Sequence, residues 1–235
     1  MAEQRPKVSM TFHGPVTGVA GTVEGDMVIN VPPQPAPAAS AAAQVSAPRK
    51  ILFLAANPQE TLPLRLDEEV RAIQQALERA KHRDRFQLIQ KWAVTDNDLR
   101  RALLDHEPEV VHFSGHGEGD FGLLFAGKDG NAHRIAGEAL SRLFALFAGN
   151  VKCVLLNACF SLVQAQAIAT QIDYVMGMDQ EIGDLAAQKF SLGFYDALGA
   201  GRDFTSAFQF GCNAIDLQSL PGYLTPQLLG KAVAM

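Results

Sequence analysis

From Arg49 onward the chain repeats one pattern, a short apolar run that stops at a turn signal followed by a longer stretch with helical spacing. The runs are Ile51–Ala56, Phe86–Trp92, Val110–Phe113, Val151–Leu156 and Tyr174–Met178, each followed within four residues by Gly, Asp or Asn, as where the first meets Asn57-Pro58. Runs without in/out alternation mark strands covered on both faces, the habit of parallel sheets. Between and after them the spacing predicts helices over Leu66–Lys81, Asp96–Leu104, Gly137–Phe147, Leu162–Ala169, Ile182–Leu198 and Thr205–Leu217. In the first, Val70, Ile73 and Leu77 share one face with Arg71, Gln74 and Gln75 between them. This is an α/β fold, a layered arrangement with a mostly parallel central sheet and helices on both faces. In such a sheet ligands bind beyond the C-terminal ends of the strands, so chemistry is to be sought there.

Upstream of Arg49 the composition changes abruptly. Pro32 to Pro48 reads PPQPAPAASAAAQVSAP, which has no charge and only Val45 as a larger apolar side chain. Its prolines disfavour helix interiors and sheet ladders, so it is a semi-extended linker. The chain divides into residues 1–31, a linker at 32–48 and a core domain at 49–235.

The whole-chain balance excludes several classes. With 20 Lys and Arg against 25 Asp and Glu, and 48% hydrophobic residues, the chain is neither disordered throughout nor a basic nucleic-acid binder. Three cysteines are too few for a disulfide framework and fit a reducing compartment. No apolar run is long enough to span a membrane and no signal-peptide hydrophobic region is present, so a cytoplasmic protein without membrane contact is expected.

Two strand ends carry reactive residues. The third run continues into Ser114-Gly115-His116-Gly117, a histidine between glycines, and the fourth into Asn157-Ala158-Cys159-Phe160-Ser161 at a strand-to-helix junction. A helix N-terminus and a nearby imidazole stabilise a thiolate, which leads to the expectation of a lowered pKa for Cys159. The backbone amides of Gly117 and Cys159 are candidate oxyanion donors. Cys153, inside its strand, and Cys212, on the last helix near Phe208 and Ile215, read as core, as does His112 between Val111 and Phe113. His13, His82, His106 and His133 show no ligand spacing, and no paired-cysteine motif supports a metal site. A nucleotide-binding reading fails because Ala55-Ala56-Asn57-Pro58-Gln59 contains no glycine-rich phosphate loop.

The segments HFSGHG (112–117), LLNACFS (155–161), ILFLAANP (51–58) and LRLDEEV (64–70), with VMGMDQEIGDLAAQKFSLGFYDAL (175–198), together resemble a CHAT domain. That is a caspase-like branch of the protease clan that includes separase, gingipain and the metacaspases. The histidine precedes the cysteine by 43 residues, near the roughly 50 of caspases. The resemblance covers about Arg49 to Leu217 and implies a caspase–haemoglobinase-like fold. It further implies a cysteine endopeptidase acting on protein substrates through a His116/Cys159 dyad, without metal or organic cofactor. The contrasting reading is an inactive scaffold that keeps the fold as an interaction module.

For the substrate pocket, the position two residues before the candidate nucleophile is Asn157, where metacaspases carry an Asp that binds basic side chains; the uncharged amide departs from that pattern, so a basic preference does not follow from this position. Asp184 is either a pocket carboxylate or a first-turn helix residue. Glu118, with Asp120, either lines the cleft or solvates a loop, and Asp67-Glu68-Glu69 is most simply an exposed first helical turn.

The N-terminal segment has its own order. Gly14 to Ala20 and Gly21 to Met27 are two copies of GxVxGxx. Residues 14–29 resemble, over a short and loose pattern, the amyloid-forming or homotypic motifs at the termini of bacterial immune effectors. That resemblance implies recruitment by a receptor or self-association; an added hairpin, an inhibitory segment and a disordered tail are the alternatives.

Overall fold

The computed structural model describes residues 47–233. The Gly/Val repeat and nearly all of the Pro/Ala linker lie outside the described residues.

Among the described residues eight strands and six α-helices follow one another. They are β1 (Arg49–Ala55), α1 (Leu66–Arg79), β2 (Phe86–Trp92), α2 (Asp96–His106), β3 (Val110–Ser114), β4 (Leu123–Ala126), β5 (Ala132–Ile135), α3 (Gly137–Ala145), β6 (Cys153–Asn157), α4 (Leu162–Ala169), β7 (Tyr174–Met178), α5 (Asp184–Gly199), α6 (Phe204–Asp216) and β8 (Pro226–Leu229). Six strands form one sheet in the order β2-β1-β3-β6-β7-β8. The first five are parallel, and β8 closes the edge antiparallel to β7. The layered, mostly parallel α/β architecture read from the sequence is thus observed.

The continuous apolar runs have the expected cause. On β1, Ile51, Phe53 and Ala55 enter a core with α1, α5 and α6. Leu52 and Leu54 enter a second core with α2, α3 and α4. Successive side chains alternate faces, so a strand sandwiched between helix layers is apolar at every position. On α1 the sequence-predicted stripe Val70, Ile73 and Leu77 is buried in the first core.

Three strands escaped the periodicity. β4 and β5 pair as a separate antiparallel hairpin, and β8 is a short edge strand beginning at Pro226. Each is four residues long, too short for a period to register, although Asp129-Gly130 in the β4–β5 turn is a hairpin signal.

Polar residues interrupt the first core where β3 and β6 end. His112, Ser114 and Asn157 lie on the same sheet face as Val110, Cys153 and Leu155, because the period of two assigns alternate residues to that side. Facing them from α1 is Glu69, only 3% exposed. The expected exposed turn Asp67-Glu68-Glu69 is therefore corrected, since Asp67 and Glu68 face solvent and Glu69 turns inward. Its carboxylate accepts hydrogen bonds from Ser114 Oγ, from Asn157 Nδ2 at 2.7 Å and from Ser191 Oγ at 2.6 Å. The His112 Nε2 atom lies 3.2 Å from Glu69 Oε1, outside hydrogen-bond alignment, while His112 Nδ1 is 3.2 Å from the Tyr195 hydroxyl. Burial pushes the Glu69 carboxyl upward, but the His112 imidazole and the Ser114 and Ser191 hydroxyls outweigh it and hold the group below its ordinary value.

Removing one member of such a buried set leaves the others unpaired. Glu69→Ala is expected to destabilise the domain in urea unfolding by about 1–3 kcal/mol for each buried donor left unpaired. Because the folded value is depressed, Glu69 contributes stability that is present above the ordinary glutamate value and is lost as pH falls through the lowered one. Wild-type stability should therefore show an acid-side decline that is smaller in Glu69→Gln.

Candidate active site

The parallel register brings the two strand-end motifs abreast. Ser114 of β3 pairs with Asn157 of β6, and Gly115 N donates to Asn157 O at 3.3 Å just beyond. His116 and Cys159 each lie two residues past that pair, and both line one cleft of about 480 Å³. At its inner end are the buried Glu69, Ser114 and Asn157. The lining is completed by the β7–α5 connection, with Glu181, Ile182, Gly183 and Asp184, and by the loop from Leu62 to Arg65.

His116 is held from two sides. Its Nε2 is 2.9 Å from the Leu62 carbonyl oxygen. A carbonyl only accepts, so Nε2 carries the hydrogen, and in the neutral ring Nδ1 is the free base. The His116 carbonyl accepts from Leu124 N at 3.0 Å, which fastens this segment to β4. The Leu62 loop is tied to the same hairpin, through Gln59 N to Gly130 O at 3.1 Å and Ala132 N to Glu60 Oε1 at 2.8 Å. The hairpin thus fixes both the imidazole and the carbonyl that orients it. Sequence reasoning could not find the Leu62 contact, because a backbone carbonyl leaves no trace in residue type.

The Cys159 segment is clamped by its neighbours. Ser161 Oγ donates to Leu156 O and accepts from Met178 N, each at 3.0 Å, which joins the ends of β6 and β7. Phe160 adopts φ 53°, an unfavourable conformation for an aromatic residue, directly beside the cysteine. Gly117 packs so closely on this turn that a Cβ there would collide with the Cys159 carbonyl. Neither Gly117 N–H nor Cys159 N–H donates to another backbone group among the described residues.

The thiol itself departs from expectation. Cys159 is half-buried and lies two residues before the N-cap of α4, Ser161; its Sγ–H is directed at Ile182 O, 3.7 Å away. Burial pushes the thiol above its ordinary value, and the Glu181 and Asp184 carboxylates add to that, outweighing the Ile182 hydrogen bond. The lowered pKa expected from a helix terminus and an imidazole is corrected accordingly. Cys153 is fully buried and raised much further, and burial pushes Cys212 up to about 11.

The other sequence candidates divide. Asn157 and Asp184 line the cleft, and Asp184 is at the same time in the first turn of α5, so its two readings coexist. Glu118 does not line it; it forms an ion pair with Arg134 of β5, at 2.6 Å to Arg134 Nε. Glu69, placed by sequence on a solvated turn, is part of the lining. Among the described residues no three His, Cys, Asp or Glu side chains are grouped to hold a metal ion. No described helix is long and apolar enough to cross a membrane.

This sheet and its connections are those of caspase-like proteases. The structure superposes on the Arg-specific cysteine proteinase gingipain R with a TM-score of 0.57 at 12% identity, over 77% of this chain and 46% of that one. On the Drosophila initiator caspase Dronc the TM-score is 0.50 at 9% identity, covering 78% and 80%. The family model for the CHAT domain matches residues 24–209, and the chain belongs to that family. It is 26% identical over 180 residues to a Roc-COR-CHAT protease from an unknown prokaryotic organism, covering 74% of this chain and 17% of that protein. It is 25% identical over 175 residues to a probable protease of Gillisia limnaea, covering 73% and 31%. The chain thus matches less than a third of the length of these two relatives.

Iodoacetamide should modify Cys159 before Cys153 or Cys212, with a rate that rises through a midpoint above the usual thiol range. Glu181→Gln with Asp184→Asn should lower that midpoint, as pH-dependent alkylation followed by peptide mass spectrometry would show.

Proposed function

We propose that this chain is a cysteine endopeptidase in which Cys159 is the nucleophile and His116 the general base and acid. The observation that carries the reading is the register. Two residues past the Ser114–Asn157 pair, the imidazole and the thiol line the same cleft, with Leu62 O holding the histidine in the tautomer a base requires.

The thiol proton passes to His116 Nδ1 as the sulfur attacks the substrate carbonyl carbon. Gly117 N–H and Cys159 N–H take the charge that develops on the carbonyl oxygen. Collapse of the tetrahedral species breaks the C–N bond, His116 returns the proton to the leaving amine, and a thioester remains on Cys159. Water then gives a proton to His116 and attacks the thioester, releasing the acid and restoring the thiol. Nucleophile and base both come from the chain itself.

The domain order supports an effector role in bacterial signalling or defence, switched on by recruitment. An address at residues 14–29, a linker and a protease are the parts that tethering needs, because it raises the local concentration of protease domains. The greater length of the matched relatives fits the same use, a protease segment joined to other modules. The raised Cys159 thiol is the observation that favours the inactive-scaffold reading.

Cleavage of a peptide library or a host lysate separates the two. Cys159→Ala is expected to abolish cleavage and His116→Ala to lower kcat by about 10²–10⁴-fold, both with unchanged melting. Equal cleavage by wild type and both variants would exclude the dyad. Deleting residues 1–30 should abolish the response to the natural trigger while leaving cleavage after forced dimerisation intact.

A further inference from the structure

We propose that Phe160 and Phe121 form an apolar surface for the leaving half of the substrate, so that the chain favours an apolar residue directly after the cleaved bond. This rests on the protease reading and adds a second contact region to that same site.

Neither backbone preference nor packing explains Phe160, the residue after Cys159. Its φ of 53° is a conformation that glycine and asparagine accept and a bulky aromatic resists. Burial does not compensate, because the residue is 45% exposed. The backbone is pinned all the same, with Phe160 N donating to Gln180 O at 3.3 Å. An exposed aromatic on its own would need no explanation. One held in an unfavourable conformation beside a reactive thiol does, and such strain is kept where the side chain it presents is used.

The neighbours extend Phe160 into a surface. After His116 the chain makes a short turn at Gly119–Phe121, and Gln164 Nε2 of α4 donates to Gly119 O at 2.6 Å, which fastens the turn to that helix. A Cβ on Gly119 would sit 3.7 Å from Phe160 Cβ, so the turn lies against that side chain. The same turn carries Phe121, 74% exposed, and Val163 in the first turn of α4 is exposed as well. The segments bearing these apolar side chains are thus held together next to the reactive pair.

The side of the cut follows from the layers. The cleft lies toward α1 and α5, which line it with Leu66, Glu69, Asp184 and Gln188. Phe121, Phe160 and Val163 are outside that lining, and α4 packs on the other face of the sheet, with Ala165 and Ile168 in the second core. A peptide whose scissile carbonyl carbon reaches Cys159 Sγ therefore runs from the cleft onto this surface. The acyl half stays bonded to sulfur until water attacks, which suits the enclosing cleft. The leaving half departs after the first step, and an open surface holds it without trapping it. His116, which returns the proton to the leaving amine, stands just ahead of the turn that carries Phe121. An apolar side chain laid there takes apolar area of both partners out of water, whereas a carboxylate would shed hydration against aromatic faces.

The test uses the full chain and internally quenched peptides that share one acyl half, taken from a site cut in the peptide library, and differ in the residue directly after the cut: Phe, Leu, Ser or Asp. Rates are read at rest and under forced dimerisation. The Phe and Leu peptides should show kcat/KM about tenfold above the Ser and Asp peptides. Phe160→Asn with Phe121→Ser should narrow that ratio by about fivefold or more, and Phe160→Leu should keep most of it. Because asparagine suits a positive φ, Phe160→Asn should melt no lower than Phe160→Leu. A ratio near one in the wild type, or an unaltered ratio in the Asn/Ser variant, would overturn the surface assignment and leave the protease reading standing. Melting of Phe160→Asn well below that of Phe160→Leu would overturn it too, because packing would then account for residue 160. No cleavage of any library peptide in either state, with iodoacetamide still reaching Cys159, would overturn the protease reading and this inference with it.

Discussion

A carboxylate placed between two helices and two strand ends organises this domain. Glu69 accepts from Ser114 on β3, Asn157 on β6 and Ser191 on α5, and it reaches all three from α1. A carboxylate at this depth is a weak source of net stability, because the cost of taking it out of water offsets most of what its hydrogen bonds return. Its value lies in geometry. An unsatisfied carboxylate in the core is so unfavourable that α1 and α5 have little freedom to slide on the sheet, and the last residues of β3 and β6 stay level. His116 and Cys159 inherit that alignment, each two residues further on.

The same end of the sheet is electrostatically loaded. Glu181 and Asp184 help to hold the Cys159 thiol protonated, and they line the same cleft as that thiol. A positive charge brought close to them would offset the charges that disfavour the thiolate. In such a site a raised resting thiol is compatible with catalysis, since the thiolate is needed only in the presence of substrate.

Much of this was legible in the chain. Apolar runs such as Ile51–Ala56 and Val151–Leu156 announced strands covered on both faces, and the motifs around His116 and Cys159 pointed to the strand ends that the fold brings together. Glu69 was not legible, because its neighbours Asp67 and Glu68 are exposed and a third acidic residue looks like more of the same. Its position beside Val70 and Ile73 on the buried stripe of α1 is the only hint, and it needs the polar ends of β3 and β6 opposite to make sense. Of the two readings of Glu118 the cleft one fails, and its partner Arg134 was not legible because it comes from a hairpin whose strands are too short for a periodic signal.

The sequence by itself determined the class of fold and the order of its longer elements, and it singled out His116 and Cys159 as the candidate pair, because these follow from local hydrophobic period and from residue types at strand ends. Tertiary structure alone decided which nitrogen of His116 is free, that the Cys159 thiol is raised, and that Asn157 Oδ1 has no donor. Each of those depends on a partner far along the chain or on a backbone carbonyl such as Leu62 O. Protonation and hydrogen-bond satisfaction are set by what lies within a few ångströms in space, and the one-dimensional order of residues does not carry that distance.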